Sequence, residues 1–294
     1  MAILIGPGDR VLLHGATGRY GVAQLHAMRA AGTNLVGVVS FGRGGETVGG
    51  LPAFDTVAEA VAATGASTSV IYVPAAGVRD ALVETADAGI GLAMVAAEFV
   101  PVHDAIWALA YARERGLWVV GPNSLGIASP QRILLGSIGT DFMRPGPVGV
   151  IGRSGTLTLT TTRLLSRAGC GQTTVAHIGG DVLAGRNPHE YLDLFLDDPE
   201  TRAIVYLGEI GGGKEYEMLD RIAQRRKPLV ALIVGRNAPP GKQMGHAGAL
   251  VSGDRETALA KRSALAEAGA AIADDPVTLA SQVASILASA MAVP

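Results

Sequence analysis

The sequence predicts an α/β protein built as two doubly wound, largely parallel sheets in tandem. Short apolar runs alternate with longer amphipathic stretches, glycine closes many of those runs, and the alternation pauses once, between Pro122 and Pro147, before restarting. Uninterrupted apolar runs suit strands buried on both faces, and their alternation with helices implies right-handed crossovers. The pause sets the expected organisation: residues 1–125 as one domain, 126–146 as a linker and 147–294 as the second domain.

In the first domain Val11–Leu13 reads as a strand, Val22–Ala31 as a helix and Leu35–Val39 as the next strand. Asp55 is placed to cap a helix reaching Ala63, Val70–Val73 is a strand, and Val78–Ala88 is a helix stopped by Gly89. The series closes with the strand Leu92–Ala97, the helix Asp104–Arg115 and the strand Leu117–Val120. The second domain repeats the plan. Its strands are Val148–Ile151, Thr173–Ala176, Ala203–Leu207 and Leu229–Val234; its helices are Thr156–Ala168, His189–Leu196, Lys214–Arg225, Glu256–Ala268 and Pro276–Met291.

Composition narrows the function classes. The 294 residues carry 24 Lys and Arg against 26 Asp and Glu, a net charge of −2, with no basic stripe interleaved with aromatics. Nucleic-acid binding therefore has no support. A lone cysteine, Cys170, excludes an internal disulfide and a cysteine-based zinc cluster, and reads as a small buried hydrophobe. No histidine and carboxylate spacing suggests a metal site, so none is expected. The apolar runs are too short for membrane spans, and Met1–Asp9 lacks the basic region of a signal peptide. A soluble cytoplasmic protein is the expectation.

The chemistry should lie in the glycine-rich loops, because ligands of open α/β sheets bind beyond the carboxyl ends of the strands. Gly15-Ala16-Thr17-Gly18-Arg19-Tyr20-Gly21 links the first strand to the first helix, where free backbone amides favour a phosphate. A dinucleotide enzyme would place an acid at the end of the second strand to hold ribose hydroxyls. Here stands Ser40-Phe41-Gly42-Arg43-Gly44-Gly45, and Arg43 suits phosphate better, pointing to coenzyme A or a 2′-phosphorylated nucleotide. The plain alternative is a tight turn with a solvated arginine. Gly152-Arg153-Ser154-Gly155-Thr156 forms a second anion cradle of amides and hydroxyls; Thr156 stands where a serine-hydrolase nucleophile turn needs glycine.

Two further loops supply a nucleophile and its support. His246 lies in Met244-Gly245-His246-Ala247-Gly248-Ala249, where flanking glycines let backbone approach an anion and a neutral imidazole near pH 7 keeps one nitrogen free to attack. Glu209, in Gly208-Glu209-Ile210-Gly211-Gly212-Gly213, could accept from the other ring nitrogen, fixing the tautomer; equally, it could cap the next helix. Among the other histidines, His14 reads as a satisfied buried imidazole and His177 as a neighbour of the phosphate pocket, while His26, His103 and His189 carry no argument.

These runs, with Gly121-Pro122-Asn123 and Ile178-Gly179-Gly180-Asp181, resemble the α subunit of succinyl-CoA synthetase and its nucleoside-diphosphate-forming acyl-CoA ligase relatives across nearly the whole chain. The resemblance implies an N-terminal Rossmann-like CoA-binding domain and a C-terminal flavodoxin-like ligase domain. It assigns coenzyme A to Thr17, Gly18, Arg19, Tyr20, Arg43, Ala96, Ala97 and Glu98, phosphorylation to His246 with Glu209 supporting it, and phosphate binding to Ser154, Gly155 and Thr156. It further implies a β subunit with an ATP-grasp domain that carries Mg-ATP or Mg-GTP, and a reaction passing through phosphohistidine and an acyl phosphate. A CoA-binding regulatory homologue without turnover and, more weakly, an NADP oxidoreductase are the competing readings.

Departures from the family pattern, Arg43 apart, gather at the presumed thiol and acyl ends. Leu159 takes the place of a substrate-contacting tyrosine, Ser124-Leu125 replaces Cys-Pro, Phe41 replaces a proline, and Arg43 stands where lysine is usual. Ala96-Ala97-Glu98 replaces a more polar turn. They point to a different carboxylic acid, one with another polar group or a more apolar body.

Overall fold

A computed structural model describes residues 2–239 and 241–291 and divides the chain into two compact units. The first comprises Leu4–Ile138 with Leu183–Arg186; the second comprises Gly139–Val182, the described residues from Asn187 onward, and residues 2–3.

In the first unit, β1 (Val11–His14), β2 (Leu35–Val39), β3 (Thr47–Val48), β4 (Leu51–Phe54), β5 (Thr68–Ile71), β6 (Leu92–Val95) and β7 (Trp118–Val120) form a sheet in the order β3-β4-β2-β1-β5-β6-β7. All neighbours run parallel except β3 and β4. Helices α1 (Arg19–Ala30), α2 (Val57–Thr64), α3 (Val78–Asp87) and α4 (Val102–Glu114) connect them. Without the β3 edge the order is that of a Rossmann sheet, whose crossover direction reverses between β1 and β5. Helix α1 buries Gly21, Leu25 and Met28, one helical face, and a Cβ on Gly21 would lie 2.5 Å from the Ala16 Cα. Glycine is therefore what lets the helix start so close to the phosphate-type loop.

Three expectations change here. Strands β3 and β4 lie within a glycine-rich stretch with no strand signature: Gly49 and Gly50, both at positive φ, make the two-residue hairpin turn. Thr56 rather than Asp55 caps α2, its Oγ1 accepting from Glu59 N at 3.2 Å, while Asp55 Oδ1 accepts from Gly44 N at 2.9 Å and closes the Arg43 loop. Within the expected linker, β8 (Gly126–Ser129) and β9 (Ile133–Gly136) pair as an antiparallel hairpin. Thr33 Oγ1 donates to the Leu134 carbonyl at 2.6 Å and ties that hairpin to the end of α1.

The second unit places β10 (Pro145–Gly152), β11 (Gln172–His177), β12 (Ala203–Glu209), β13 (Leu229–Val234) and β14 (Ala271–Ile272) in the parallel order β14-β13-β12-β10-β11. This is the flavodoxin-like arrangement, with its switch point between β10 and β12. The helices are α5 (Gly155–Arg167), α6 (Pro188–Asp197), α7 (Leu219–Ala223), α8 (Ala258–Glu267) and α9 (Pro276–Met291). The expected helix over 214–225 splits into a 3₁₀ turn, Lys214–Met218, and the short α7. Glu215 and Met218, three apart, both point inward, which the three-residue repeat of a 3₁₀ turn satisfies. Cys170 is buried, and burial pushes its thiol pKa up. No helix among the described residues is long and apolar enough to cross a membrane.

Candidate active site

Both units put their glycine loops at the carboxyl edge of a parallel sheet. In the first, Gly15 (φ 78°) turns the chain out of β1, and a Cβ there would lie 2.8 Å from Val73 Cγ1. Gly18 holds the N-cap position of α1 without a side-chain cap, leaving the first amides of the helix open to an anion. Arg19 and Tyr20 follow, exposed; Tyr20 packs edge-on against Tyr72 at 5.8 Å, and both hydroxyls reach Ser137 Oγ, at 2.9 and 3.2 Å. Arg43 stands in the loop after β2 and donates twice to Glu46 Oε2, at 2.8 and 2.6 Å. Ala96, Ala97 and Glu98 leave β6, with Ala97 O accepting from Asn123 N at 2.7 Å and Glu98 exposed. Loops after β1, β2 and β6 thus stand along one sheet edge. His14 is buried, as expected, but its Nδ1 has no hydrogen-bond partner among the described residues, and burial lowers its pKa to about 4.

In the second unit the structure brings together residues far apart in sequence. Glu209 closes β12, beside the switch point, and its Oε2 lies 2.7 Å from His246 Nδ1. The other oxygen, Oε1, lies 3.3 Å from the Arg153 guanidinium. Glu209 and Arg153 side chains are each 6% exposed, whereas His246 is 27% exposed, so the carboxylate is shielded while the ring keeps a reachable edge. The helix-capping alternative for Glu209 falls, since the following 3₁₀ turn has no side-chain cap. With Nδ1–H donated to a carboxylate, the tautomer leaves the Nε2 lone pair outward. The Glu209 hydrogen bond raises the His246 pKa, opposed by partial burial and by Arg153.

Glycines set the spacing around this pair. A Cβ on Gly180 would sit 3.1 Å from the His246 ring, one on Gly248 2.9 Å from the Arg153 guanidinium, and one on Gly211 2.0 Å from the Gly248 carbonyl. The histidine loop is pinned by Met244 N donating to Ala249 O at 2.9 Å and Ala249 N donating to His246 O at 3.1 Å. His177 is buried, with its Nε2 2.9 Å from the Arg153 carbonyl. Burial drops its pKa to about 4, so it is neutral and donates from Nε2, supporting Arg153 rather than meeting a ligand. Ser154 caps α5, its Oγ accepting from Leu157 N at 3.4 Å, and Gly155 and Thr156 open the helix immediately after Arg153. Thr156 and Leu159 line a groove of about 400 Å³ with Thr160, Arg163 and Phe142.

Sequence reasoning quoted Arg153 only as part of a loop and passed over Lys214 and Lys261. Lys214 lines a cavity of about 270 Å³ with Arg153, Gly248 and Ser252, and burial first, then Arg153, lowers its pKa to about 8. Lys261 is fully buried on α8. Its signal was present: Ala258, Lys261 and Leu265 share the inward face, so a lysine occupies a core position. Among the described residues no group of histidine, cysteine or carboxylate side chains could hold a metal ion.

Comparisons with known proteins match this division. Residues 8–99 match the CoA binding domain family and residues 151–271 the CoA-ligase family. A CoA-binding unit joined to a CoA-ligase unit defines an α-type subunit of the nucleoside-diphosphate-forming CoA ligases. The succinate–CoA ligase [ADP-forming] subunit alpha 1 of Archaeoglobus fulgidus is 43% identical over 98% of this chain and 99% of its own length. The malate–CoA ligase subunit alpha of Methylorubrum extorquens is 40% identical over 99% of this chain and 100% of its own. This chain belongs to the succinate–CoA ligase alpha-subunit family. Among solved structures, ATP citrate lyase from Methanothrix soehngenii in complex with citrate and coenzyme A superimposes with a TM-score of 0.86 at 27% identity, covering 99% of this chain and 52% of that one. The chain thus spans about half the length of that lyase.

Proposed function

We propose that this chain is the alpha subunit of a carboxylate–CoA ligase that turns over through phosphorylated His246, with Glu209 as its support. The observation that carries the reading is the 2.7 Å contact between His246 Nδ1 and Glu209 Oε2, which leaves Nε2 as the attacking atom. Nε2 takes the terminal phosphoryl group of a nucleoside triphosphate and the diphosphate leaves. A carboxylate oxygen of the acid then attacks that phosphorus and releases the imidazole as an acyl phosphate forms. The coenzyme A sulfur finally attacks the acyl carbon and expels phosphate. Glu209 offsets the positive charge that imidazole acquires on phosphorylation, and the amides at the start of α5, with Ser154, Gly155 and Thr156, offset the negative charge of the phosphoryl group.

Coenzyme A is assigned to Thr17, Gly18, Arg19, Tyr20, Arg43, Ala96, Ala97 and Glu98, whose loops leave one edge of the first sheet. A cytoplasmic location and a separate ATP-grasp β subunit carrying Mg-ATP or Mg-GTP complete the proposal. The acid is a small carboxylate of the succinate and malate class. Leu159 beside Thr156 and Arg163 gives the groove an apolar patch within a polar and cationic lining.

The test is intact-mass and peptide analysis of the chain with its ATP-grasp partner and Mg-nucleotide, wild type against His246→Asn. An acid-labile phosphoryl group on His246, absent from the variant, is the expected result. No phosphorylation beside a partner that demonstrably binds nucleotide would leave the silent CoA-binding reading in its place.

A further inference from the structure

A buried ammonium behind the Glu209–His246 pair has no part in the chemistry above, yet it holds the strand end that presents the carboxylate. Lys261 is fully buried, and an ammonium out of water needs all three of its protons taken. Two carbonyls accept from Nζ, Glu209 at 2.8 Å and Gly211 at 2.6 Å, and Glu215 Oε2 lies 2.7 Å away as its ion-pair partner. Glu215, itself 1% exposed, receives on Oε1 the hydroxyl of the buried Tyr206 at 2.8 Å. Tyr206 lies on β12, three residues before Glu209. The network therefore closes on the same strand from which it starts.

Its placement is informative. At the carboxyl end of β12 the last carbonyls lose their sheet partners, and Lys261 takes two of them, one on either side of Ile210. The turn it fixes is the one on which the histidine loop rests, because a Cβ at Gly211 would overlap the Gly248 carbonyl. Gly211 N in turn donates to the Glu256 carbonyl at 2.9 Å, just before α8. One lysine so constrains both the residue that supports His246 and the floor under the His246 loop.

We propose that Lys261, balanced by Glu215 and Tyr206, is a positioning residue for catalysis: it fixes the backbone of Glu209–Gly211 so that the Glu209 carboxylate stays aimed at His246 Nδ1. This rests on the reading of His246 as the phosphorylated residue only for its kinetic consequence; the geometric consequence stands apart from it. A purely structural pair would be replaceable by apolar side chains of similar volume, since exchanging a whole buried ion pair for such residues is often neutral for stability. A positioning pair would not be replaceable without cost at His246.

The experiment uses the complete enzyme with its partner subunit and compares wild type, Lys261→Met and the double variant Lys261→Met with Glu215→Met. Thermal unfolding reports the structural role, and NMR titration of the His246 imidazole reports the positioning role. The groups facing that imidazole are Glu209 from β12, Arg153 from the β10–α5 turn, and His177 and Asp181 from β11 and the loop after it. Lys261→Met alone leaves Glu215 unpaired and is expected to unfold earlier. The double variant is expected to recover only the part of that loss due to the unpaired charge, since the Glu209 and Gly211 carbonyls and the Tyr206 hydroxyl still lack their partners, and its His246 titrates at lower pH than wild type as the Glu209 hydrogen bond loosens. Its phosphorylation rate is expected to fall on the order of 10–100-fold, the scale of a misplacement near 1 Å. A stable double variant with the wild-type His246 titration would overturn the proposal. A shifted titration in the double variant, when the wild-type enzyme itself never phosphorylates His246, would uphold the brace and defeat the phosphohistidine reading instead.

Discussion

The two units carry similar glycine loops on similar sheets but place their charges in opposite ways. In the first unit the candidate coenzyme A groups stand in solvent: Arg43 is 40% exposed and spends its guanidinium on Glu46, itself 49% exposed. Such a pair is worth little and is readily exchanged for a phosphate. In the second unit Glu209, Arg153, Glu215 and Lys261 are all nearly inaccessible, and each carboxylate oxygen meets a different partner. On the proposed function the difference follows from what each site would have to do. A ligand that arrives and leaves needs donors that can be released, whereas a nucleophile that must form and lose a bond at one nitrogen needs its support already in place.

The comparison breaks most visibly at Glu209. Glu209→Gln keeps an acceptor for Nδ1–H but removes the charge, so the rate of His246 phosphorylation is expected to fall about 100-fold or more. The sign of the pH effect is opposite to a simple loss. Attack needs neutral imidazole; Glu209 holds the His246 pKa above its ordinary value, so the wild-type acid limb lies at higher pH than for an ordinary histidine. Removing the carboxylate lowers that pKa and moves the acid limb to lower pH, even as the plateau drops. Rapid-quench phosphorylation across pH 5 to 8, roughly the range where histidine titrates, measures both. An acid limb that stays put or rises would show that Glu209 does not set the protonation of His246.

Arg43→Ala addresses the other side of the comparison with a smaller effect. Coenzyme A affinity, measured by calorimetry, is expected to weaken about tenfold, the strength of one charge-assisted contact. The loss should shrink as salt is added, because an exposed arginine acts through screened electrostatics. His246 phosphorylation by nucleotide should be untouched. If Arg43→Ala lowers affinity equally in low and high salt, the first site is not the loosely held, solvent-facing one described here.

How far the sequence disclosed this arrangement depended on the range of each signal. Strands β1, β6, β12 and β13 were legible because strands buried on both faces are nearly continuous apolar runs, whereas β5, Thr68–Ile71, begins with two polar residues and was expected two residues late. The β3–β4 and β8–β9 hairpins were not legible, because glycine-rich sequence encodes their turns and close approaches by absence of side chains: a Cβ on Gly126 would lie 1.8 Å from the Leu135 carbonyl. His246 and Glu209 stood out because each sits in a glycine loop after a strand. Arg153, Lys214 and Lys261 did not, since their significance lies in contacts across 56, 32 and 52 residues, taking Arg153 to Glu209, Lys214 to Val182 and Lys261 to Glu209. No local pattern encodes such pairings, although a lysine on the buried stripe of α8 was a clue in plain view.

The smallest expected effect discriminates most finely between the two units, because each has a helix capped by a hydroxyl. Thr56 Oγ1 accepts from Glu59 N at 3.2 Å at the start of α2, and Ser154 Oγ accepts from Leu157 N at 3.4 Å at the start of α5. Replacing either by alanine removes one cap and should cost about 0.5–1 kcal/mol of stability, read as a small fall in the unfolding midpoint. On stability alone the two variants should be indistinguishable. Their functional consequences should diverge, because α5 follows Arg153 directly and its first amides are assigned to the phosphoryl group, whereas α2 has no assigned ligand. Ser154→Ala should therefore shorten the lifetime of phosphorylated His246 by a few-fold, and Thr56→Ala should leave it unchanged. Equal lifetimes in both variants would reduce Ser154 to a cap and leave the phosphoryl group to the backbone amides of Gly155 and Thr156.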